Sequence, residues 1–143
     1  MTRKAVFLDV DGTFVNERGV VPPSARDAVI AARANGHQVF LCTGRSTAEL
    51  WDEIMEPGFD GVIASAGGYV EYEGEVLLHR SVPVEHIRHA VDFFHRHGVE
   101  YYLEANSGLY GSARAPHRLR ELIFGGVTDE DVLAELERGL RGF

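Results

Sequence analysis

Apolar residues in the first part of the chain alternate between short continuous runs and stretches with a spacing of three to four. Ala5-Val6-Phe7-Leu8 is one such run, closed by polar residues and Gly12, the pattern of a strand buried on both faces. Phe14-Val15 and Gly19-Val20-Val21 flank Asn16-Glu17-Arg18 as a candidate small hairpin, and Pro22-Pro23 stops further pairing. From Ser24 onward, Ala25, Ala28, Val29 and Ala32 recur at helical spacing, and Gly36 stands where a glycine after a helix end belongs. Gln38-Val39-Phe40-Leu41-Cys42 predicts a second buried strand. A strand, helix, strand unit of this kind is almost always parallel and right-handed, so both strands should end on the same edge. Ser46 and Glu49 form a capping box ahead of Leu50, Trp51 and Ile54, predicting a helix directly after Thr43-Gly44-Arg45 that Pro57-Gly58 ends. Val62-Ile63-Ala64 predicts a third buried strand, stopped by Gly67-Gly68.

Beyond Gly68 the pattern changes. Tyr69 to Tyr72 and Glu75 to Leu78 flank Glu73-Gly74 as two antiparallel strands, suited to an edge or to a different sheet. Ile87, Ala90, Val91 and Phe94 mark an amphipathic helix ending at Gly98. Val99 to Leu103 and Leu109 to Gly111 read as strands around Asn106-Ser107-Gly108. Arg118 to Phe124 is ambiguous, and Asp131 to Leu140 predicts a last helix with Thr128 and Asp131 as its capping box. The boundary therefore falls near Gly68, with a βαβαβ segment over 1–68 and an α+β segment over 69–143.

Composition narrows the function classes. With 143 residues and 45% hydrophobic content the chain can fill one core, or one domain and part of another. There are 22 acidic against 14 basic residues, a formal charge of −8, and no Lys or Arg stripe to follow a phosphate backbone, which argues against nucleic acid. The apolar runs are far shorter than the ~20 residues that cross a bilayer, so no membrane span is expected. Asp9 interrupts the first apolar run too early for a signal peptide, and a lone cysteine, Cys42, suits a reducing compartment, so a cytoplasmic location is expected. Lys4 is the only lysine.

In an open parallel sheet, ligands bind outside the carboxyl ends of the strands. The first strand ends in Asp9-Val10-Asp11-Gly12-Thr13 and the second in Thr43-Gly44-Arg45, so the two segments should share one crevice. Asp9 and Asp11, two apart at an extended strand end, lean the same way and can share a hard cation such as Mg²⁺. A bound Mg²⁺ offsets the repulsion between a carboxylate and a phosphate dianion, so Asp9 could take a phosphoryl group as an aspartyl phosphate. Asp11 could serve the leaving oxygen as acid and the attacking water as base. The Thr43 hydroxyl and the N–H groups around Gly12 and Gly44 offer donors for phosphate oxygens, and Arg45 adds a cation.

Simpler readings compete with these. Asp-Gly favours a turn, and Thr43-Gly44-Arg45 alone could be a loop leading into a helix. A Cys-x₅-Arg phosphatase loop would need Arg where Ala48 stands, so Cys42 reads as a packed strand cysteine. His86, His89, His95 and His97 read as a solvated helix face before a metal site, and Tyr101, Tyr102 and Tyr110 as sheet packing before a ligand box.

Asp9-Val10-Asp11-Gly12-Thr13 resembles the first motif, DxDGT, of the haloacid dehalogenase superfamily, and Thr43-Gly44-Arg45 resembles its second as found in Cof-type, class IIB phosphatases. Gly61 to Tyr72 is similar to the group's third strand and following segment, with Ala66-Gly67-Gly68 in place of the usual Asn-Gly pair. The resemblance extends over essentially the whole chain. It implies an α/β, Rossmann-like parallel core, begun by 1–68, with an α+β cap inserted after the third strand, begun by 69–143. It also implies a Mg²⁺-dependent phosphohydrolase acting on a small phosphorylated metabolite such as a sugar phosphate. Asp9 would be nucleophile and metal ligand, Asp11 acid/base and, through its backbone carbonyl, metal ligand, and Gly12, Thr43, Gly44 and Arg45 would hold the phosphoryl group. The family's third motif supplies a Lys and its fourth further acidic Mg²⁺ ligands, both after the cap. Lys4 instead precedes the first strand, and Asp129-Glu130-Asp131 opens a helix. The sequence is therefore expected to be a fragment or to carry an incomplete site, in which case it could bind Mg²⁺ or phosphate without catalysis, or act as a receiver-like domain phosphorylated on an Asp. Exposed strand edges would then favour self-association.

Overall fold

The computed structural model describes residues 2–17 and 19–115, and the chain divides into two compact units, 1–80 and 81–143. In the first unit, β1 (Ala5–Leu8), α1 (Pro23–Ala34), β2 (Gln38–Cys42), α2 (Asp52–Met55) and β3 (Gly61–Ala64) are followed by β4 (Tyr69–Tyr72) and β5 (Glu75–His79). The five strands form one sheet in the order β1-β2-β3-β4-β5. β1, β2 and β3 run parallel, so all three end on one edge as expected, and β4 and β5 are antiparallel. The two strands after Gly68 therefore extend this sheet to an edge, and the division between units falls after Arg80, beyond the change of pattern at Gly68.

The register explains the core. Val6, Val39 and Leu8, Leu41, Val62 are cross-strand neighbours on one face. Val39, Leu41, Val62 and Ala64 are buried there with Val29 of α1, Ile54 of α2 and Val10, Phe14 and Val15 of the loop after β1. Phe7, Phe40, Gly61 and Tyr72 form the corresponding row on the other face. Phe7 stacks on Phe40 at 5.0 Å, and Phe40 reaches Tyr72 at 5.9 Å across Gly61. A Cβ at Gly61 would collide with the Glu71 backbone carbonyl and lie 2.9 Å from the Phe40 ring, which is why the gap in this aromatic row is a glycine. The expectation of strands buried on both faces is thus corrected: Phe7 is 58% exposed and Cys42, read as packed, is exposed. Side chains alternate along a strand, and among the described residues the helices of this unit cover only the Val39/Leu41 face.

Helix α1 opens with Pro23 at its first position and ends on Gly36 (φ +81), where Gly36 N–H bonds Arg33 C=O at 2.9 Å and His37 N–H bonds Ala32 C=O at 3.1 Å. The helix predicted after Arg45 is broken. Thr47–Glu49 forms a 3₁₀ turn, Leu50 leaves helical geometry (φ −96°, ψ 81°), and only Asp52–Met55 is α-helical. The Ser46/Glu49 capping box thus closes a 3₁₀ turn instead of opening one continuous α-helix. The candidate hairpin around Asn16 is a turn instead, closed by Asn16 N–H to Val20 C=O and Val20 N–H to Asn16 Oδ1.

The second unit holds α3 (Val84–His97), ending on Gly98 with φ +62, and the hairpin of β6 (Tyr102–Ala105) and β7 (Gly108–Gly111). Phe94 of α3 stacks on Tyr101 at 5.2 Å, and His95 and His97 lie against Tyr101 and Phe93. The segment 118–124 and the predicted helix Asp131 to Leu140 lie outside the described residues.

Candidate active site

The loop after β1 is built around buried residues that alternate with exposed acids. Val10 has no exposed surface, whereas its neighbours Asp9 and Asp11 are both exposed. The Val10 carbonyl accepts N–H bonds from Thr13, Phe14 and Val15 at 3.3, 3.0 and 2.9 Å, and the Asp9 carbonyl accepts from Phe14 at 3.2 Å. Phe14 and Val15 plug the core beneath, so the chain coils above the strand end and turns both carboxylates to solvent. Gly12 sits at φ +75 at the crest of this coil, a conformation that residues with a Cβ rarely adopt.

The loop after β2 lies beside it, because Leu8 of β1 pairs with Leu41 of β2 and adjacent strands run about 4.8 Å apart. Thr43 is buried, and its hydroxyl accepts the Arg45 N–H at 3.1 Å. The Thr43 N–H bonds Ile63 C=O at 2.9 Å. Gly44 is exposed, with open space where a Cβ would stand. Ser46 is fully buried, and its N–H and hydroxyl both donate to the Glu49 carboxylate at 2.9 Å.

Two features of this loop were not visible in the sequence. Ser65, Ala66 and Gly67 after β3 all take positive φ (51, 51 and 90), and this left-handed turn reaches back to the second loop. Ser65 N–H bonds Arg45 C=O at 2.7 Å and Ala66 N–H bonds Thr43 C=O at 3.1 Å. The signal was partly present in Gly67-Gly68, but Ser65 and Ala66 do not advertise left-handed backbone. The other feature concerns Arg45. Its Nη2 and Nε donate to Asp11 Oδ1 and Oδ2 at 2.6 and 3.0 Å, its Nη1 donates to Glu49 C=O at 3.2 Å, and Trp51 lies 4.5 Å beneath the guanidinium.

Asp9, Asp11, Gly12, Thr43, Gly44 and Arg45 thus all lie on the two loops that leave the same sheet edge. Among the described residues no group of three or more His, Cys, Asp or Glu side chains could hold a metal ion. The exposed Asp9 carboxylate still suits Mg²⁺, which is commonly bound through one or two carboxylates and completes its shell with other oxygens, whereas both oxygens of the Asp11 carboxylate are taken by Arg45. Lys4 lies at the opposite end of β1 from Asp9, roughly 15 Å away at about 3.3 Å per strand residue.

The family model of haloacid dehalogenase-like hydrolases matches residues 6–132. The chain belongs to this family. YkrA of Bacillus subtilis is 32% identical over 88 residues, 62% of this chain and 34% of that protein. The 5-amino-6-(5-phospho-D-ribitylamino)uracil phosphatase YwtE of Bacillus subtilis is 33% identical over 82 residues, 55% of this chain and 27% of that protein. Among solved structures, the subclass IIB sugar phosphatase BT4131 superposes with a TM-score of 0.70 at 26% identity, over 96% of this chain and 54% of that one. The chain therefore spans about a third of the length of the first of these curated relatives and about half of the solved structure.

Proposed function

We propose that the protein carrying this sequence is a Mg²⁺-dependent phosphohydrolase of small phosphorylated metabolites, sugar phosphates among them, acting through an aspartyl phosphate on Asp9. The observation that supports this most is the meeting of two exposed carboxylates, a left-handed Gly12 and the Thr43-Gly44-Arg45 loop at adjoining ends of two paired parallel strands. The Asp9 carboxylate and the Asp11 backbone carbonyl would hold the Mg²⁺, which neutralises phosphate charge when bound. An Asp9 oxygen attacks phosphorus as the bond to the leaving oxygen breaks, and Asp11 gives that oxygen a proton. Asp11 then takes a proton from the water that attacks phosphorus, the bond to Asp9 breaks, and inorganic phosphate leaves. The Thr43 hydroxyl and the N–H groups around Gly12 and Gly44 orient the phosphoryl oxygens. In this reading the unit after Arg80 begins the cap, the enzyme works in the cytoplasm, and a lysine and further acids come from outside these 143 residues.

Phosphate release from p-nitrophenyl phosphate by the natural-length protein tests this. Asp9→Asn should lower Mg²⁺-dependent release on the order of a thousandfold or more. Retained release would remove Asp9 as nucleophile. The competing reading, a Mg²⁺- or phosphate-binding module without turnover, is favoured by the position of the only lysine, Lys4. A folded, natural-length protein that binds Mg²⁺ yet leaves acyl phosphates and phosphate esters intact would establish it.

Among the described strands β1 forms one edge of the sheet, and its Phe7 is exposed. An unpaired strand edge next to an aromatic side chain invites another chain, so the 143-residue chain on its own should self-associate. Light scattering checks this, and a monodisperse monomer would count against it.

A further inference from the structure

The Arg45 guanidinium is held on two sides by its own segment. Trp51 supports its face at 4.5 Å, the Glu49 carbonyl takes Nη1, and Glu49 is itself fixed by the buried Ser46. Its side chain is 17% exposed, against 60% for Asp11, the partner on its remaining edge. Of the two, Arg45 is therefore the fixed member and Asp11 the one free to turn. A planar fork that offers two parallel N–H bonds orients a carboxylate more strictly than a point charge does.

We propose that Trp51 is a positioning residue for the phosphoryl-transfer site: by holding the Arg45 fork in place it fixes the resting orientation of the Asp11 carboxylate. This rests on the reading of Asp11 as acid and base. Both Asp11 oxygens are engaged by the fork, so Asp11 starts each cycle as a carboxylate in one orientation, takes up a proton from solvent as it turns off Arg45, and carries that proton to the leaving oxygen. Arg45 stays on Trp51 and Glu49, with Nε–H and Nη2–H then open to an anion. Without the indole face the guanidinium has lost one of its supports, and Asp11 loses its fixed start. The Arg45 contact seen here thus differs from a role purely in phosphate binding.

The test uses two readouts. In the natural-length protein, the Arg45 Nε–H resonance in a ¹H–¹⁵N spectrum should be sharp, and Trp51→Leu should broaden or abolish it, while Trp51→Phe, which keeps an aromatic face, retains it. In the natural-length protein, Trp51→Leu should lower kcat with p-nitrophenyl phosphate about fivefold with KM within about twofold, and Trp51→Phe should restore most of the loss. If Trp51→Leu unfolds, Arg45→Lys replaces it: the charge remains, the fork is lost, and kcat should fall. An unaltered Arg45 resonance and kcat in Trp51→Leu, or an unaltered kcat in Arg45→Lys, overturns the proposal. A loss in Trp51→Leu that Trp51→Phe does not restore also overturns it, since that marks general packing. Absence of turnover in the unmutated natural-length protein would instead sink the phosphohydrolase reading, leaving the resonance test of the Trp51 support intact.

Discussion

The two loops at the sheet edge are held in different ways. The Asp9 to Val15 loop carries its own anchors: Val10, Phe14 and Val15 are all within 2% of full burial, and the Val10 and Asp9 carbonyls organise the coil from within. The Thr43 to Ser46 loop leans on its neighbours, on Ile63 through Thr43 N–H, on Ser65 and Ala66 through two carbonyls, and on Glu49 through Ser46. One loop is fixed by apolar side chains close in sequence, the other by backbone hydrogen bonds from a segment some twenty residues away. A short motif is enough to specify the first kind, whereas the second needs the fold to be assembled first.

The sharpest way to break this contrast is to remove an anchor of the first loop. Phe14 is buried and packs edge-on against Phe59 at 5.4 Å. Phe14→Ala should cost about 3–5 kcal/mol, the range for a buried aromatic truncated in a core, and should cost most of the first unit's stability. Urea unfolding followed by circular dichroism measures it, and a loss below about 1 kcal/mol would mean that the loop does not depend on its plug.

The second loop responds to a gentler change in the opposite direction. Ala66 holds φ +51, where a Cβ costs roughly 1 kcal/mol and where Asn is the non-glycine residue best tolerated. Ala66→Asn should raise stability by about 0.5–1 kcal/mol by relieving the strain. An unfolding midpoint that does not rise would show that the Ala66 conformation is not strained in solution.

This contrast also accounts for what could be read in the sequence. The parallel order of β1, β2 and β3, the end of α1 at Gly36, and the departure of the Asp9 and Thr43 loops from one sheet edge follow from local periodicity and from one topological rule, and the structure has all of them. The helix predicted after Arg45 failed because Ser46 and Glu49 satisfy a capping box in a 3₁₀ turn as well as in an α-helix. Cys42 and Phe7 failed as buried residues because a continuous apolar run does not tell which face of a strand will be covered. The Arg45–Asp11 pair joins residues 34 apart in sequence, and neither side chain carries a local sign of the other.

The smallest effect concerns Asp60, which braces the scaffold beneath the second loop. Its carboxylate accepts Val39 N–H at 2.7 Å and two Arg33 guanidinium bonds at 3.2 and 3.4 Å, tying the start of β2 to α1. Partial burial pushes its pKa up, but the Val39 and Arg33 hydrogen bonds and the charges of Arg33 and Arg3 outweigh that and hold it below the ordinary value of 3.8. A carboxylate with a lowered folded pKa stabilises the fold above its unfolded pKa, and that stabilisation fades as pH falls through the folded pKa. Asp60→Asn should therefore lower stability at pH 7 and lose less than the unmutated chain on further acidification. The gap between the two should narrow from about pH 4 downward as Asp60 takes up its proton. Unfolding midpoints measured across this range provide the check; a gap that stays constant into strong acid would mean that the carboxylate's charge is not what braces β2 against α1.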